Sequence, residues 1–152
     1  MEIDSAAPAV ARGEIDIAAG PEVVWGVLSD IDEWPGWNPA IASAELDGEL
    51  APGSTFRWKA GPGTIKSTLR HVDPPREIGW TGKTFGINAV HVHRLEQRGD
   101  STRVISEESW GGLPVRLLRR RMQKTLQKAL DDGLQPLKAE AERRAAADQD
   151  RD

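Results

Sequence analysis

The chain has 152 residues, enough for one domain with a sizeable core, and 38% of them are hydrophobic while 29% are charged. Its formal net charge of −4 disfavours nucleic acid as the main partner. Cysteine is absent, which excludes disulfides and thiol catalysis, and no apolar run approaches the roughly 20 residues of a membrane-spanning helix.

The first third of the chain predicts one strand followed by short helices. Residues 13–18 alternate between apolar and polar side chains, as a half-buried strand does. Pro21 then occupies a favourable first helical position, and the Pro- and Gly-rich segment 32–39 predicts a helical turn. Within that turn Trp34 and Trp37 either gate a cavity or pack locally.

Short strands separated by turn signals fill the middle of the chain. Pro52-Gly53, Pro74-Pro75 and Gly99-Asp100 are among the turns. The predicted strands are 41–47, 54–60, 64–73, 76–82, 87–97 and 102–110.

A long amphipathic helix is predicted over residues 114–144, where apolar side chains recur at helical spacing. Gly133 and Pro136 predict a kink or weak turn inside it. An antiparallel sheet with one apolar face needs a cover, and this helix provides one. The sequence therefore predicts an α+β protein with a single domain over 12–144 and flexible tails at 1–11 and 145–152.

Tryptophan use is unusual, with six tryptophans, two phenylalanines and no tyrosine. Trp58, Trp80 and Trp110 fall on different predicted strands. A tryptophan brings a large apolar surface and one N–H group that needs a partner, which suits the wall of a cavity. The alternative is a core built with tryptophan in place of other large apolar residues.

The last predicted hairpin places polar side chains on its apolar face. If Gly99-Asp100 forms the tip, Leu95 pairs with Val104, and the next pairs on that face are His93 with Ser106 and His91 with Glu108. Because Leu95 and Val104 are apolar, this face points towards the core, and the two histidines, the serine and the carboxylate point into the predicted cavity.

His91 and Glu108 are the candidate catalytic residues. Glu108 can orient His91 and favour its protonated form, so that the pair acts as general acid and base. Alternatively the two side chains only satisfy each other at a polar end of the cavity. A zinc site has little support, since His71 is the one further histidine; no metal or cofactor is expected.

Alternation in each strand, together with the helix stripe, predicts one ligand-binding set between sheet and helix. Its members are Phe56, Trp58, Ser67, Leu69, Trp80, His91, His93, Ser106, Glu108, Trp110, Leu118 and Met122.

Several phrases in the chain resemble the polyketide cyclase/dehydrase and lipid-transport branch of the SRPBCC (START-like) superfamily. They include Ala19-Gly20-Pro21-Glu22-Val23-Val24-Trp25, Trp34-Pro35-Gly36-Trp37-Asn38-Pro39 and Pro74-Pro75-Arg76-Glu77-Ile78-Gly79-Trp80. The resemblance implies a helix-grip fold, in which a curved antiparallel sheet wraps a long C-terminal helix around an apolar cavity. It fixes the activity much less, because such folds serve several functions.

Three functions follow as hypotheses: binding or transport of a small apolar or amphipathic molecule, a cyclase-, aromatase- or dehydrase-like enzyme using His91 and Glu108, and a protein-interaction module. The first implies a small-molecule partner, with no nucleic acid and no stable membrane insertion. The basic run over 116–124 either attracts an anionic surface or is a solvated helix side. Since the N-terminus lacks a secretory leader pattern, a cytoplasmic location is expected.

Overall fold

The computed structural model describes residues 1–152 and contains one seven-stranded antiparallel sheet. Its strand order is β1-β7-β6-β5-β4-β3-β2. The strands are β1 (Ala9–Ile17), β2 (Ser43–Asp47), β3 (Thr55–Lys59), β4 (Thr64–Asp73), β5 (Glu77–Thr84), β6 (Ile87–Arg98) and β7 (Ser101–Gly111). Together with the C-terminal helix, this sheet confirms the predicted α+β helix-grip class.

Four α-helices accompany the sheet: α1 (Pro21–Ser29), α2 (Trp34–Trp37), α3 (Leu113–Leu117) and α4 (Arg119–Gln149), with a 3₁₀ turn at Ile31–Glu33. The single helix predicted over 114–144 is divided at Leu118, whose φ of −115° and ψ of 37° are not helical. Beyond that break α4 remains helical through Pro136 and continues to Gln149. None of the helices is long and apolar enough to cross a membrane.

Strand β1 begins at Ala9, four residues before the predicted start at Gly13. Small side chains explain why the sequence pattern did not reveal the first residues of this strand. Ala9 and Ala11 are buried on the face that carries Gly13, and a Cβ on Gly13 would lie 2.7 Å from Leu130 Cδ2. The stripe of small residues lets α4 approach β1 closely, but it carries little hydrophobic alternation to mark a strand.

Two apolar cores flank the space between sheet and helix. The first packs leucines of α4, such as Leu126 and Leu130, against α1, β1 and β7. The second is an aromatic cluster in which the Trp34 ring centroid lies 5.5–5.6 Å from those of Phe56, Trp58 and Trp80. Because the cores lie at different places under the sheet, the region between them is left as a cavity.

Candidate functional site

A cavity of about 700 Å³ lies between the sheet and α4. Of its 34 lining residues 18 are hydrophobic, so the wall is apolar with polar groups at selected points. The α2 segment, the β3–β4 loop, the concave face of β5–β7 and one side of α4 all contribute. Both the volume and the lining fall in the range of small-molecule sites.

Most of the predicted ligand-binding residues line this one cavity, namely Trp58, Ser67, Trp80, His91, His93, Ser106, Glu108, Trp110 and Met122. Leu118 does not: it lies at the break before α4 and is 48% exposed. Phe56 and Leu69 share the cavity-facing side of their strands but are buried in the aromatic core instead. Ligand contact by any of these residues stays a prediction.

The β6–β7 hairpin has the predicted register. Leu95 pairs with Val104, His93 with Ser106 and His91 with Glu108. Gly99 at the turn has a φ of 63°, which a glycine adopts without steric cost. Strand alternation and this turn place the four polar side chains on the concave face.

The side-chain hydrogen bonds do not follow the strand register. His91 Nε2 lies 2.9 Å from Ser106 Oγ, whereas His91 Nδ1 lies 3.7 Å from Glu108 Oε1, beyond direct hydrogen-bonding distance. Ser106 therefore bonds diagonally to His91 and not to His93, its partner in the register. Long side chains on one sheet face reach such diagonal neighbours.

Both histidine rings pack against each other and against an aromatic ring. The His91 and His93 ring centroids are 4.3 Å apart, and the Trp80 ring lies 4.9 Å from His91 and 5.4 Å from His93. The close approach of the two imidazoles suits neutral rings, because two like charges at this distance would repel each other in an apolar site.

Burial controls the protonation of the group. It lowers the pKa of His91 to about 3, and it lowers the pKa of His93 well below its usual value, with His91 adding to that effect. Burial also raises the pKa of Glu108 to about 7. Glu108 was expected to favour a protonated His91, but burial dominates and shifts the pKa of His91 downwards, towards the neutral ring.

Three buried side-chain polar atoms have no hydrogen-bond partner in the protein: Trp37 Nε1, His91 Nδ1 and His93 Nδ1. All three residues line the cavity. Two other indoles are paired: Trp34 Nε1 donates to the Leu28 carbonyl at 3.0 Å and Trp58 Nε1 donates to Ser67 Oγ at 3.1 Å. Unpaired buried polar groups are rare in folded proteins, so their concentration at one cavity marks the site.

A family model described as polyketide cyclase/dehydrase and lipid transport matches residues 8–142. The chain belongs to this family. The assignment confirms the resemblance to the SRPBCC superfamily noted in the sequence. No protein of curated function matches the sequence significantly.

Solved structures of other proteins share the fold at low sequence identity. Hypothetical protein jhp0584 of Helicobacter pylori aligns with a TM-score of 0.81 at 15% identity, covering 91% of each chain. TTHA0849 of Thermus thermophilus gives 0.73 at 19% identity, covering 87% of this chain and 96% of that one. The di-domain ARO/CYC protein StfQ of the steffimycin biosynthetic pathway gives 0.74 at 17%, covering 91% of this chain and 53% of StfQ.

Some residues that line the cavity were not predicted from the sequence. Phe85 sits at the tip of the β5–β6 turn with a φ of 46°, and its exposed ring lies over Gly63. Gly133 lines the cavity from inside α4. The Phe85-Gly86 turn in the sequence could have indicated Phe85. Gly133 indicated only a weak point in the helix and gave no sign of a place on the cavity wall. No cluster of three or more His, Cys, Asp or Glu side chains is arranged to hold a metal ion.

Proposed function

We propose that the protein binds a small, largely apolar molecule in the cavity between the sheet and α4, either to store it or to carry it. The three unpartnered polar atoms of Trp37, His91 and His93 are the observation that carries this proposal. Leaving a buried donor or acceptor unpaired costs about 1–3 kcal/mol each. A ligand that pairs with them recovers part of that cost, and the apolar wall supplies the rest of the affinity.

The same groups indicate the chemistry of the ligand. Both imidazoles are neutral at pH 7, and Glu108, with a pKa of about 7, is partly protonated there. The hairpin therefore presents no cation to the middle of the cavity, and Glu108 is its one partly ionised group. Since burying an unpaired charge is costly, the deep end suits an uncharged hydroxyl, carbonyl or aromatic ring. Any charged end of an amphipathic ligand belongs at the mouth.

Gly133 allows binding to be tested separately from folding. A Cβ at this position meets no atom within 4 Å, and the glycine lies inside α4 on the cavity wall. Gly133→Leu should fill the cavity while favouring the helix, since glycine costs about 1 kcal/mol relative to good helix formers. Gly26→Leu is the matched control, because Gly26 is also helical and unobstructed but does not line the cavity.

The measurement is fluorescence titration with the uncharged probe N-phenyl-1-naphthylamine, alongside urea unfolding of each variant. We expect Gly133→Leu to weaken probe binding at least tenfold with unchanged or higher stability, and Gly26→Leu to bind like the wild type. Equal binding by all three proteins would place the probe elsewhere and remove the support for this cavity. So would a wild type that binds no probe.

A second candidate function is an enzyme of the cyclase or dehydrase kind, favoured by one observation. Glu108 has a pKa of about 7, the range in which a carboxyl both accepts and returns a proton at neutral pH, and it lies beside His91. In such a step the carboxylate takes a proton from a carbon next to a ketone, and the enolate later recovers one.

Deuterium exchange tests this candidate without knowledge of the natural substrate. The ketone 2-tetralone in D₂O, followed by NMR, should exchange its α-protons faster with the wild type than with Glu108→Gln. If both proteins match the buffer rate while the apolar probe still binds, the enzyme candidate fails and the binding function stands.

A further inference from the structure

An exposed apolar patch lies at one end of the sheet, beside the mouth of the cavity. Four large apolar side chains are exposed in this protein: Phe85 at 73%, Leu113 at 67%, Leu117 at 74% and Leu118 at 48%. Phe85 belongs to the β5–β6 turn, and the leucines belong to α3 and the residue after it. A single exposed apolar side chain is ordinary on a protein surface. It is unusual for all the large exposed apolar side chains of a protein to lie in one turn and one short segment.

Backbone contacts bring the turn and α3 together. A Cβ on Gly86 would lie 3.4 Å from Pro114 Cγ, and a Cβ on Gly112 would lie 2.1 Å from the Gly86 carbonyl oxygen. The turn that carries Phe85 therefore abuts the start of α3. Since Phe85 also lines the cavity, the patch adjoins the opening.

Five cations lie close in sequence to these leucines, in α3 and at the start of α4: Arg116, Arg119, Arg120, Arg121 and Lys124. All five are exposed and none forms an ion pair, although Arg119 Nε donates to the Pro8 carbonyl at 3.2 Å. Other exposed arginines, such as Arg76, Arg98 and Arg143, have carboxylate partners.

The position of three of these arginines works against helix stability. Arg119, Arg120 and Arg121 form the first turn of α4, which contains no acidic residue. The N-terminal end of a helix carries partial positive charge, so cations there are unfavourable and acids are preferred. Three unpaired arginines at this position indicate a role other than stabilising the fold.

We propose that this end of the molecule docks reversibly on an anionic lipid bilayer. The docking end comprises Phe85, Leu113 and residues 116–124. Its apolar side chains enter the interfacial region, and its arginines contact anionic headgroups, the combination by which peripheral proteins bind membranes. The proposal does not depend on what the cavity holds, but it places the opening against the lipid.

Protein partners fit the docking end less well. A stable interface buries about 800 Å² on each partner around a packed apolar centre, whereas these four side chains stand on a turn tip and a one-turn helix among long cations. In a dimer formed through this end, the cations of one copy would face the same cations of the other copy and repel them. A fluid anionic surface needs no matching shape, and it neutralises every cation together.

The chain supplies a matched control surface. Arg57, Lys66 and Lys83 form a row across β3, β4 and β5 on the convex face, and none of them forms an ion pair. No exposed large apolar residue accompanies them. Charge reversal there changes the net charge as much as charge reversal at the docking end.

The experiment is co-sedimentation of the full chain with vesicles of phosphatidylcholine alone and with vesicles containing one third phosphatidylglycerol. We expect binding only to the anionic vesicles, weakening as salt rises. Arg120→Glu/Arg121→Glu should bind about 30-fold more weakly or worse, since each basic residue near such a surface contributes about fivefold. Leu117→Ser/Leu118→Ser should also weaken binding, whereas Arg57→Glu/Lys66→Glu should retain most of it.

Each opposite result overturns the proposal. Equal loss in the Arg57/Lys66 variant would show attraction by net basic surface with no defined docking end. Binding unaffected by the leucine substitutions would remove the apolar part of the contact. Concentration-dependent dimerisation, lost in Leu117→Ser/Leu118→Ser by sedimentation velocity, would assign the patch to a second copy of the chain.

Discussion

The polar side chains on the two faces of the β6–β7 hairpin are paired in opposite ways. On the convex face Arg94 donates from Nε to Glu77 Oε1 at 2.9 Å and from Nη1 to Glu107, and His71 Nε2 lies 3.0 Å from Glu77 Oε2. On the concave face, His91 and His93 each retain an unpartnered ring nitrogen, and Glu108 has no direct partner in His91.

The two sets alternate along the same strands, so the contrast does not arise from different backbone geometry. A paired network stabilises the fold on its own, whereas unpaired groups in an apolar cavity reduce stability until something binds to them. We infer that the convex set is structural and that the concave set is kept for a ligand. The following experiments test that distinction.

The largest expected effect concerns pH and Glu108. Its pKa rises from 4.5 unfolded to about 7 folded, so the folded state holds the extra proton between those values. Stability from this group is therefore full below pH 4.5 and is lost as the pH rises through about 7, by about 3 kcal/mol. Glu108→Gln cannot titrate and should not show this loss.

Urea unfolding of both proteins at about pH 5 and about pH 8 measures the difference. We expect Glu108→Gln to be the more stable protein at the higher pH and to differ little at the lower one. The buried histidines act in the opposite direction, since their lowered pKa values remove stability as the pH falls below 6.5. A variant that is less stable than the wild type at both pH values would show that Glu108 is a structural carboxylate.

An intermediate effect is expected on the convex face. Arg94→Met leaves Glu107 without its cation partner and should lower the free energy of unfolding by about 2 kcal/mol, as the loss of charged hydrogen bonds does. Arg103→Met is the matched control: its ion pair with Asp16 is solvent-screened, with 34% and 62% of the two side chains exposed, so its loss should lower stability much less than the loss of Arg94 does.

Both variants should bind the apolar probe like the wild type. If Arg94→Met abolished probe binding without unfolding the protein, the two faces would be coupled and their separation into structural and functional sets would fail.

The smallest effect separates two neighbouring tryptophans. Trp37→Phe removes an indole N–H that has no partner, so stability should change by less than about 1 kcal/mol. Trp34→Phe removes the bond to the Leu28 carbonyl and should cost about 1–3 kcal/mol. Thermal unfolding of the two variants compares them directly, and an equal loss of stability would mean that Trp37 Nε1 is satisfied in solution.

Much of the fold was predictable from the sequence. Alternation fixes which face a side chain takes, and the Gly99-Asp100 turn fixes the register, so the pairing of His91 with Glu108 followed correctly. Side-chain contacts were less predictable. Which neighbour His91 bonds depends on rotamers, and His91 bonds the diagonal neighbour Ser106 in place of Glu108, the residue directly opposite.

Other differences have equally local causes. The break at Leu118 falls inside an unbroken helical pattern, so periodicity alone could not reveal it. The pKa directions depend on how completely the cavity excludes water, which no spacing of residues encodes. The early start of β1 was hidden because Ala9 and Ala11 are buried yet small.

Those small residues also determine how wide the cavity is. Helix α4 packs chiefly on β1, the edge strand of the sheet, so helix and sheet form a wedge whose narrow edge is the contact between Gly13 and Leu130. Gly13, Ala9 and Ala11 do not line the cavity, yet a bulkier residue at any of them would lift the helix and widen the wedge at its far side. Ligand size can therefore evolve at positions that no ligand touches.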